Sequence, residues 1–378
     1  MRFIFDRQRW QPYLEQTFDR LHAMPEPAWQ EYKTTLFLQL QLEEWGYQTM
    51  TFTDCTGVVG VLGSGSCTVA LRADMDALCH RTGDGESVTH SCGHDAHMAM
   101  VLTAAAALGN LPLPENCRVK VIFQPAEEKG EGALRMVEKG VLDDVDFLFG
   151  VHLRPIQELP GGLAAPAIQN GAACLLQGEI RGRSAHGARP HLGINVIEVA
   201  AAFVQMIQGL HWNPLQPASI KMTRLWAGNQ AANIIPDHAV FTLDLRAQTN
   251  QHIHELADRI EQLAGHLAKT YGAEIRLTKG METPAAEINP AAMDIMSRAI
   301  SDTTGPKHLA PPVITPGAED FHYYTRLRPR IKATMLGLGC HLEPGLHHPD
   351  MRFERKYLLE GAEILARAVL YACAEAPE

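Results

Sequence analysis

Residues 68–76 read TVALRADMD, a short apolar run that ends in an arginine and two aspartates. Residues 119–128 repeat this arrangement as VKVIFQPAEE, and residues 147–152 read FLFGVH. Ala-rich or amphipathic stretches at 98–108 and 131–139 lie between these runs, so predicted strands alternate with predicted helices. Nearly continuous apolar strands in such an alternation are typical of a mostly parallel sheet with helices on both faces.

The same domain extends outward on both sides of these strands, and an inserted domain interrupts it. Helices are predicted before the first strands and near the C-terminus, at 8–22, 32–45, 291–301 and 357–372, with further strands at 58–62 and 332–338. The segment in between predicts the order βαββαβ of a ferredoxin-like unit. The sequence therefore predicts an α/β domain of residues 1–170 and 284–378, with an inserted α+β domain at 171–283.

Composition excludes several classes of protein. The 378 residues carry a net charge of −10, which argues against nucleic-acid binding because a phosphate backbone requires a basic face. The longest apolar runs are too short for a membrane span, and MRFIFDRQRW has no signal-peptide pattern, so we expect a cytoplasmic protein. The eight cysteines are scattered without a C-x-x-C pair, which predicts reduced thiols, mostly buried as small hydrophobic residues.

Chemically reactive side chains follow the predicted strands. Ligands bind beyond the carboxyl ends of parallel strands, so residues at these positions are expected to lie close together. The candidates come from the four strand ends and from the start of the Ala-rich helix: Asp74, Asp76, Glu127, Glu128, His152, Glu343, His347, His348, Cys92 and His94.

The residue types favour a metal site. Cys92 and His94 flank a glycine, which allows a tight turn to direct both side chains toward one point. Thiolate, imidazole and carboxylate together suit zinc, while mixed nitrogen and oxygen sites also accept manganese. Of the adjacent pair Glu127 and Glu128, one carboxylate can bind a metal while the other moves a proton.

Each candidate also has a structural explanation. A Cys-x-His pair can be part of a core, adjacent glutamates favour a helix N-terminus, and a single histidine can be buried and hydrogen-bonded. Asp74 and Asp76 can cap helices, and His347 with His348 can form an exposed turn. Taken together, the number of candidates at one sheet edge makes coincidence the poorer explanation.

The order of the motifs resembles a known family along nearly the whole chain. It is similar to the amidohydrolase branch (N-acyl-amino-acid amidohydrolases, hippurate hydrolases, auxin-conjugate hydrolases) of the aminoacylase-like dinuclear metallopeptidases. The motifs that carry the resemblance are HAMPE (22–26), LRADMDAL (71–78), CGHDAH (92–97), QPAEE (124–128), GVH (150–152), GRSAH (182–186), PHLG (190–193), ANIIPD (232–237), GAEDF (317–321) and LHHP (346–349).

The resemblance implies two divalent metal ions per subunit, zinc or manganese, with cobalt or nickel as further candidates. The implied ligands are Cys92, His94, Glu128, His152 and His347, the last chosen over His348 because the family pattern places the ligand at the first histidine of His-x-Pro. The resemblance also implies that Glu127 is the general base and then the acid, and that Asp74 orients the ligands.

For the inserted domain, the resemblance implies a lid that pairs two subunits. His186 would reach the neighbouring active site and stabilise the oxyanion, and Asn233 and Arg246 would bind the substrate carboxylate or carbonyl. For Arg246, a plain strand-edge arginine is an equally good explanation. The sequence departs from the family pattern in two places. The shortened 79–91 loop is expected to reshape the rim of the pocket, and Leu243-Asp244 in place of the usual Gly-Thr weakens the assignment of Arg246.

These observations predict a metal-dependent amidohydrolase that deacylates N-acyl amino acids or related small amides, working as a homodimer without nucleic-acid or membrane partners. A dipeptidase or carboxypeptidase shares the same apparatus and differs only in its pocket. A non-catalytic small-molecule binding protein is disfavoured because a binder does not need both a full ligand set and a base. A metal store or sensor is disfavoured because the ligands are expected to lie deep in a cleft of the two-domain fold.

Overall fold

The computed structural model of the chain describes residues 4–82 and 85–375. The helices of these residues are α1 (Arg7–His22), α2 (Tyr32–Glu44), α3 (His94–Gly109), α4 (Gly132–Glu138), α5 (Val196–Gln208), α6 (Asn250–Tyr271), α7 (Pro290–Thr304), α8 (His322–Leu327) and α9 (Leu358–Glu375). The strands are β1 (Gln48–Thr51), β2 (Val58–Leu62), β3 (Cys67–Asp74), β4 (Leu78–Thr82), β5 (Gly85–Thr89), β6 (Cys117–Gln124), β7 (Phe147–Pro155), β8 (Ala164–Ala165), β9 (Ile168–Asn170), β10 (Ala172–Arg181), β11 (Ala185–His186), β12 (Ala218–Ala227), β13 (Ile234–Ile235), β14 (His238–Ala247), β15 (Glu274–Thr283), β16 (Val313–Thr315) and β17 (Lys332–Leu342).

A seven-stranded sheet with the order β1-β2-β6-β3-β7-β17-β8 organises the larger unit. Its four central strands, β6, β3, β7 and β17, run parallel. The flanking strands β1, β2 and β8 are antiparallel to their neighbours. The prediction of a mainly parallel α/β sheet is therefore confirmed, and the carboxyl ends of the four central strands share one edge.

Helices cover both faces of this sheet, as the apolar strands predicted. Along β3, Val69 and Leu71 pack into the cluster formed with α1, α3, α7 and α9. The intervening Ala70 packs on the opposite face with residues of α4 and α8. Because successive side chains point to opposite faces, a strand covered on both sides must be apolar throughout.

The second compact unit comprises Asn170–Ala286 together with Pro316–Glu319. Its antiparallel sheet has the order β12-β14-β10-β15, and α5 and α6 pack against it through buried residues such as Phe203 and Ile260. Apart from the two-residue strands β11 and β13, the chain order β10-α5-β12-β14-α6-β15 is the predicted βαββαβ sequence.

Some short elements differ from the sequence-based expectations. The short strand β1 was not predicted; most of its residues are exposed, so it lacks an apolar run. The 79–91 segment, predicted as a shortened rim loop, contains the hairpin of β4 and β5, while its tip at 83–84 lies outside the described residues.

The prediction of reduced cysteines was wrong for two residues. Cys117, at the start of β6, and Cys373, in α9, form a disulfide with a Cα–Cα distance of 5.4 Å. They are 256 residues apart in sequence, so no local sequence pattern indicates that they pair. Of the free cysteines, Cys67, Cys92, Cys174 and Cys340 are buried, as expected for most of them, while Cys55 is partly buried and Cys79 is exposed. Within the described residues, no helix has the length and hydropathy needed to cross a bilayer.

Candidate metal centre

The turn of Cys92, Gly93 and His94 places the first two candidate ligands at the start of α3. Gly93 has φ = +88°, a left-handed conformation that suits glycine, and it immediately precedes the buried His94–Leu108 stretch of the helix. Cys92 Sγ lies 3.6 Å from His152 Nε2. The ligand atoms of Cys92, His94 and His152 all lie within 4.8 Å of one another, and all three residues are buried.

His152, near the carboxyl end of β7, has its ring orientation fixed by the backbone. Its Nδ1 lies 2.7 Å from the carbonyl oxygen of Leu153. A carbonyl only accepts hydrogen bonds, so Nδ1 carries the hydrogen, and Nε2, facing Cys92, is left as an electron-pair donor. Metal-binding histidines commonly show this arrangement.

Glu127 and Glu128 occupy the short 3₁₀ helix Glu127–Lys129 that follows β6. Glu128 Oε1 lies 3.3 Å from His347 Nε2 and 3.8 Å from His94 Nε2. Glu127 Oε2 lies 4.0 Å from the same nitrogen of His94. The turn after β6 thus directs both carboxylates toward the buried imidazole.

The two neighbouring histidines of the LHHP motif have different surroundings. His347 adopts φ = +65°, and its backbone N–H donates to Ser91 O at 2.7 Å. This conformation is uncommon for a residue with a side chain, and it sets the imidazole beside Cys92 and Glu128. His348 instead accepts a hydrogen bond from the backbone N–H of Asp350, as expected for a turn.

A network of buried hydrogen bonds lies next to the candidate ligands. Asp74 Oδ1 lies 2.8 Å from His97 Nδ1, and Asp74 Oδ2 accepts a hydrogen bond from Arg72 at 2.8 Å. The other nitrogen of His97 accepts from the backbone N–H of Leu153, so His97 donates to Asp74 through Nδ1. Both nitrogens of His97 are therefore hydrogen-bonded. Asp74 also lies near His94, with 3.8 Å between Asp74 Oδ2 and His94 Nε2.

Charge at the site is strongly negative around His94. Burial alone lowers the pKa of His94, but Asp74, Asp76 and Glu128 outweigh it and raise this pKa to about 10. Burial lowers the pKa of His152 well below its usual range. Burial also raises the pKa of the Cys92 thiol, with a further contribution from Glu128 and Glu127. The carboxylates thus create a field that favours a positive charge near His94.

The donor atoms fit a divalent metal ion. Among the residues that the structure describes, neither ring nitrogen of His94 nor Oε1 of Glu128 makes a hydrogen bond, although all three atoms are buried. Buried polar atoms without partners are costly, and a cation would satisfy them. A donor set of thiolate, imidazole and carboxylate suits a borderline transition-metal ion.

Three of the candidates, His186, Asn233 and Arg246, lie in the second unit. His186 on β11 is exposed, and its Nδ1 accepts from the backbone N–H of Ala188. Asn233 precedes β13, which pairs with β11, and its carbonyl accepts from Gly187 N–H at 2.7 Å. The structure therefore brings His186 and Asn233 together. Arg246 lies on β14, where its guanidinium donates to Asp244 at 2.8 Å.

Several residues of the site were missed or assigned no role from sequence. Arg72, Gln124, His97 and Asp320 belong to the buried network, and Asp76 accepts hydrogen bonds from the N–H groups of Glu127 and Glu128. The sequence could have indicated that Arg72 and Gln124 belong to such a network, because a polar residue inside an apolar strand requires a buried partner. The partner itself is distant in sequence and could not be named.

The chain is similar to known proteins over most of its length. Residues 70–371 match the family model described as peptidase family M20/M25/M40. The chain is 28% identical to a hippurate hydrolase of Campylobacter jejuni, over 93% of this chain and 94% of that protein. It is 31% identical to thermostable carboxypeptidase 2 of Saccharolobus solfataricus, over 82% of each.

A solved structure shares the fold over the full length. The Bacillus subtilis YXEP protein, described as a dinuclear metal-binding peptidase from the M20 family, superimposes with a TM-score of 0.81 at 24% identity, covering 98% of this chain and all of that one. The family match, the relatives and the fold all agree: the chain belongs to peptidase family M20/M25/M40.

Proposed function

We propose that this protein is a metal-dependent amidohydrolase that removes the acyl group from N-acyl amino acids or related small amides. The observation that carries the proposal is the position of Glu127. Its side chain, about 10% exposed, lies beside the ring nitrogens of His94 and Oε1 of Glu128, buried atoms that make no hydrogen bond within the described residues. A metal store or a binding protein has no need of an additional carboxylate at that position.

Cys92, His94, Glu128, His152 and His347 would hold two divalent ions, zinc or manganese, with cobalt or nickel as further candidates. When bound, such ions polarise a carbonyl and acidify water. The support for this ligand set is the grouping of its atoms: Cys92, His94 and His152 form one cluster, and Cys92, Glu128 and His347 form another. Asp74 would hold the site in place through His97 and Arg72.

Glu127 would move the proton. One of its oxygens lies 4.0 Å from His94 Nε2, and the other lies 3.5 Å from the backbone N–H of Asp320. From this position the carboxylate can accept a proton from the attacking water and return it to the departing amine. Because the side chain is largely shielded from solvent, the proton transfer takes place in a medium of low dielectric constant.

His186, Asn233 and Arg246 would act on the substrate. His186, supplied by a second subunit, would donate a hydrogen bond to the developing oxyanion. Asn233 lies next to it in the same unit and offers an amide to the substrate carbonyl. Arg246 would meet the substrate carboxylate, although its pairing with Asp244 offsets part of its charge.

We also propose that the protein forms a homodimer through the second unit. Strand β12 is an edge of its sheet, and the side chains of Leu215, Leu225 and Trp226 near and on this strand are exposed, Trp226 by 67%. An exposed edge strand with apolar side chains is a surface that natural proteins normally cover. Sedimentation velocity of the wild type and of Trp226→Asp tests the proposed dimer. A wild-type protein that sediments as a monomer contradicts the proposal.

The function is tested by amine release from N-acetyl and N-benzoyl amino acids and from dipeptides. Protein treated with a chelator is reloaded separately with manganese, zinc, cobalt or nickel, and Glu127→Gln serves as the matched control because it keeps the shape of the side chain. We expect metal-dependent deacylation in the wild type, and at least about a hundredfold loss in Glu127→Gln without loss of bound metal. Equal turnover by both proteins contradicts the role of Glu127.

The alternative function is that of a dipeptidase or carboxypeptidase. The 31% identity to a carboxypeptidase favours it. The same assay separates the two, because a preference for dipeptides over N-acyl amino acids supports the peptidase. Stoichiometric metal uptake without turnover of any substrate in the panel contradicts both.

A further inference from the structure

Two carboxylates hold three consecutive backbone N–H groups in the turn that carries the proposed base. Ala126 N–H donates to Glu31 Oε1 at 2.9 Å. Glu127 N–H donates to Asp76 Oδ1 at 3.1 Å, and Glu128 N–H donates to Asp76 Oδ2 at 3.0 Å. The three amides of the turn are therefore held by two side chains that lie at least 51 residues away in sequence.

The first residue of this turn is held in an unfavourable conformation. Ala126 has φ = +52° and ψ = +40°, in the left-handed region, and it is completely buried. For a residue with a Cβ this conformation is unfavourable, because the Cβ comes too close to the following carbonyl oxygen. Without a compensating contact, the peptide before Glu127 would relax to an ordinary conformation and redirect both glutamates.

Glu31 provides this contact and is itself fully buried. Its Oε2 accepts a hydrogen bond from Thr56 Oγ1 at 2.6 Å, so both oxygens are engaged. Burying a carboxylate is costly, and the hydrogen bonds it makes must offset that cost. The bond to Ala126, 95 residues away in sequence, links this buried acid to the turn that carries the proposed base.

The other side of the turn is fixed by packing. A Cβ at Gly132 would lie 1.7 Å from the carbonyl oxygen of Pro125, and a Cβ at Gly57 would lie 2.9 Å from Pro125 Cδ. Pro125 is thus enclosed between two glycines, which leaves the peptide at Ala126 as the place where the turn can change its direction.

We propose that Glu31 is a positioning residue for hydrolysis: its carboxylate holds Ala126 in the left-handed conformation and thereby directs Glu127 toward the reacting groups and Glu128 toward the metal site. This inference rests on the proposed function for its catalytic part. Its structural part, the direction of Glu128, is independent of any substrate.

The test compares Glu31→Ala with Glu31→Gln, whose amide oxygen can still accept from Ala126 N–H. We expect Glu31→Ala to lower kcat about 10–100-fold with KM changed less than about threefold, and to weaken affinity for Mn²⁺, measured by competition with a chelator, about tenfold. Glu31→Gln should retain most of both properties. Asp146→Ala is the matched control, because Asp146 also accepts a backbone N–H, that of Thr68, at the opposite end of β3.

A second mutation separates positioning from general stability. Glycine adopts the left-handed conformation without cost, so Ala126→Gly should reduce the effect of Glu31→Ala on kcat and on Mn²⁺ affinity at least about fivefold. The inference would be overturned if Glu31→Ala lowered kcat and Mn²⁺ affinity as much in the Ala126→Gly protein as in the wild type. It would also be overturned if Asp146→Ala lowered them as much as Glu31→Ala does, or if Glu31→Gln and Glu31→Ala showed equal losses. If the wild type hydrolyses none of the substrates, the proposed function fails, and Mn²⁺ affinity alone still decides the role of Glu31.

Discussion

The buried Arg72 offers a direct measure of how strongly the network behind the site stabilises the fold. Its guanidinium donates to Asp74 at 2.8 Å, to Asp320 at 2.9 Å and to Gln124 at 2.9 Å. The side chains of Arg72 and both aspartates are completely buried. Arg72→Met keeps the length of the side chain but leaves two buried carboxylates without this positive partner.

We expect Arg72→Met to lower the free energy of unfolding by about 3–5 kcal/mol, since removal of one partner leaves an uncompensated buried charge. For a unit of roughly 250 residues, about 2 °C per kcal/mol gives a fall in Tm of about 6–10 °C. Scanning calorimetry measures it. Bound metal should also fall, because Asp74 loses one of its two supports.

Two comparisons make this result specific. Arg118→Met removes a partly exposed guanidinium 3.4 Å from Asp144 and should lower the stability by less than about 1 kcal/mol. Adding Asp320→Asn to Arg72→Met removes one of the unpaired charges, so the double variant should lose less than the sum of the single losses. A Tm for Arg72→Met within 2 °C of the wild type, or strict additivity, would refute the reasoning.

Two further predictions concern residues outside the proposed ligand set. Burial and Arg72 lower the pKa of His322 to about 3, so between about pH 6.5 and 3 only the unfolded chain binds a proton at this histidine. The free energy of unfolding of the wild type should therefore fall below pH 6.5, by at most about 2 kcal/mol at pH 5. Calorimetry at pH 7 and pH 5 should show a correspondingly smaller loss for His322→Gln. Equal losses in both proteins would contradict this. The disulfide of Cys117 and Cys373 closes a loop of about 256 residues and should stabilise the folded protein by roughly 2–5 kcal/mol. Cys373→Ser and treatment with reductant should therefore each lower Tm. A wild-type Tm that does not change with reductant would count against the bond.

The sequence by itself determined the class of fold and the composition of the candidate site. Apolar strands such as Phe147–Pro155 have to be covered on both faces, and Gly93 has to stand between Cys92 and His94 for a left-handed turn to form. These are local requirements, written in consecutive residues, and periodicity and spacing therefore reveal them. The βαββαβ order of the second unit was predictable for the same reason.

Only the tertiary structure decided which side chains support that site. Asp320 meets Arg72 across 248 residues of sequence, and Glu31 meets Ala126 across 95. Cys117 and Cys373 pair across 256 residues, against the expectation of reduced thiols. Such contacts form because packed strands and helices bring remote segments together, and the identity of a buried group's partner depends on that packing rather than on its neighbours in sequence.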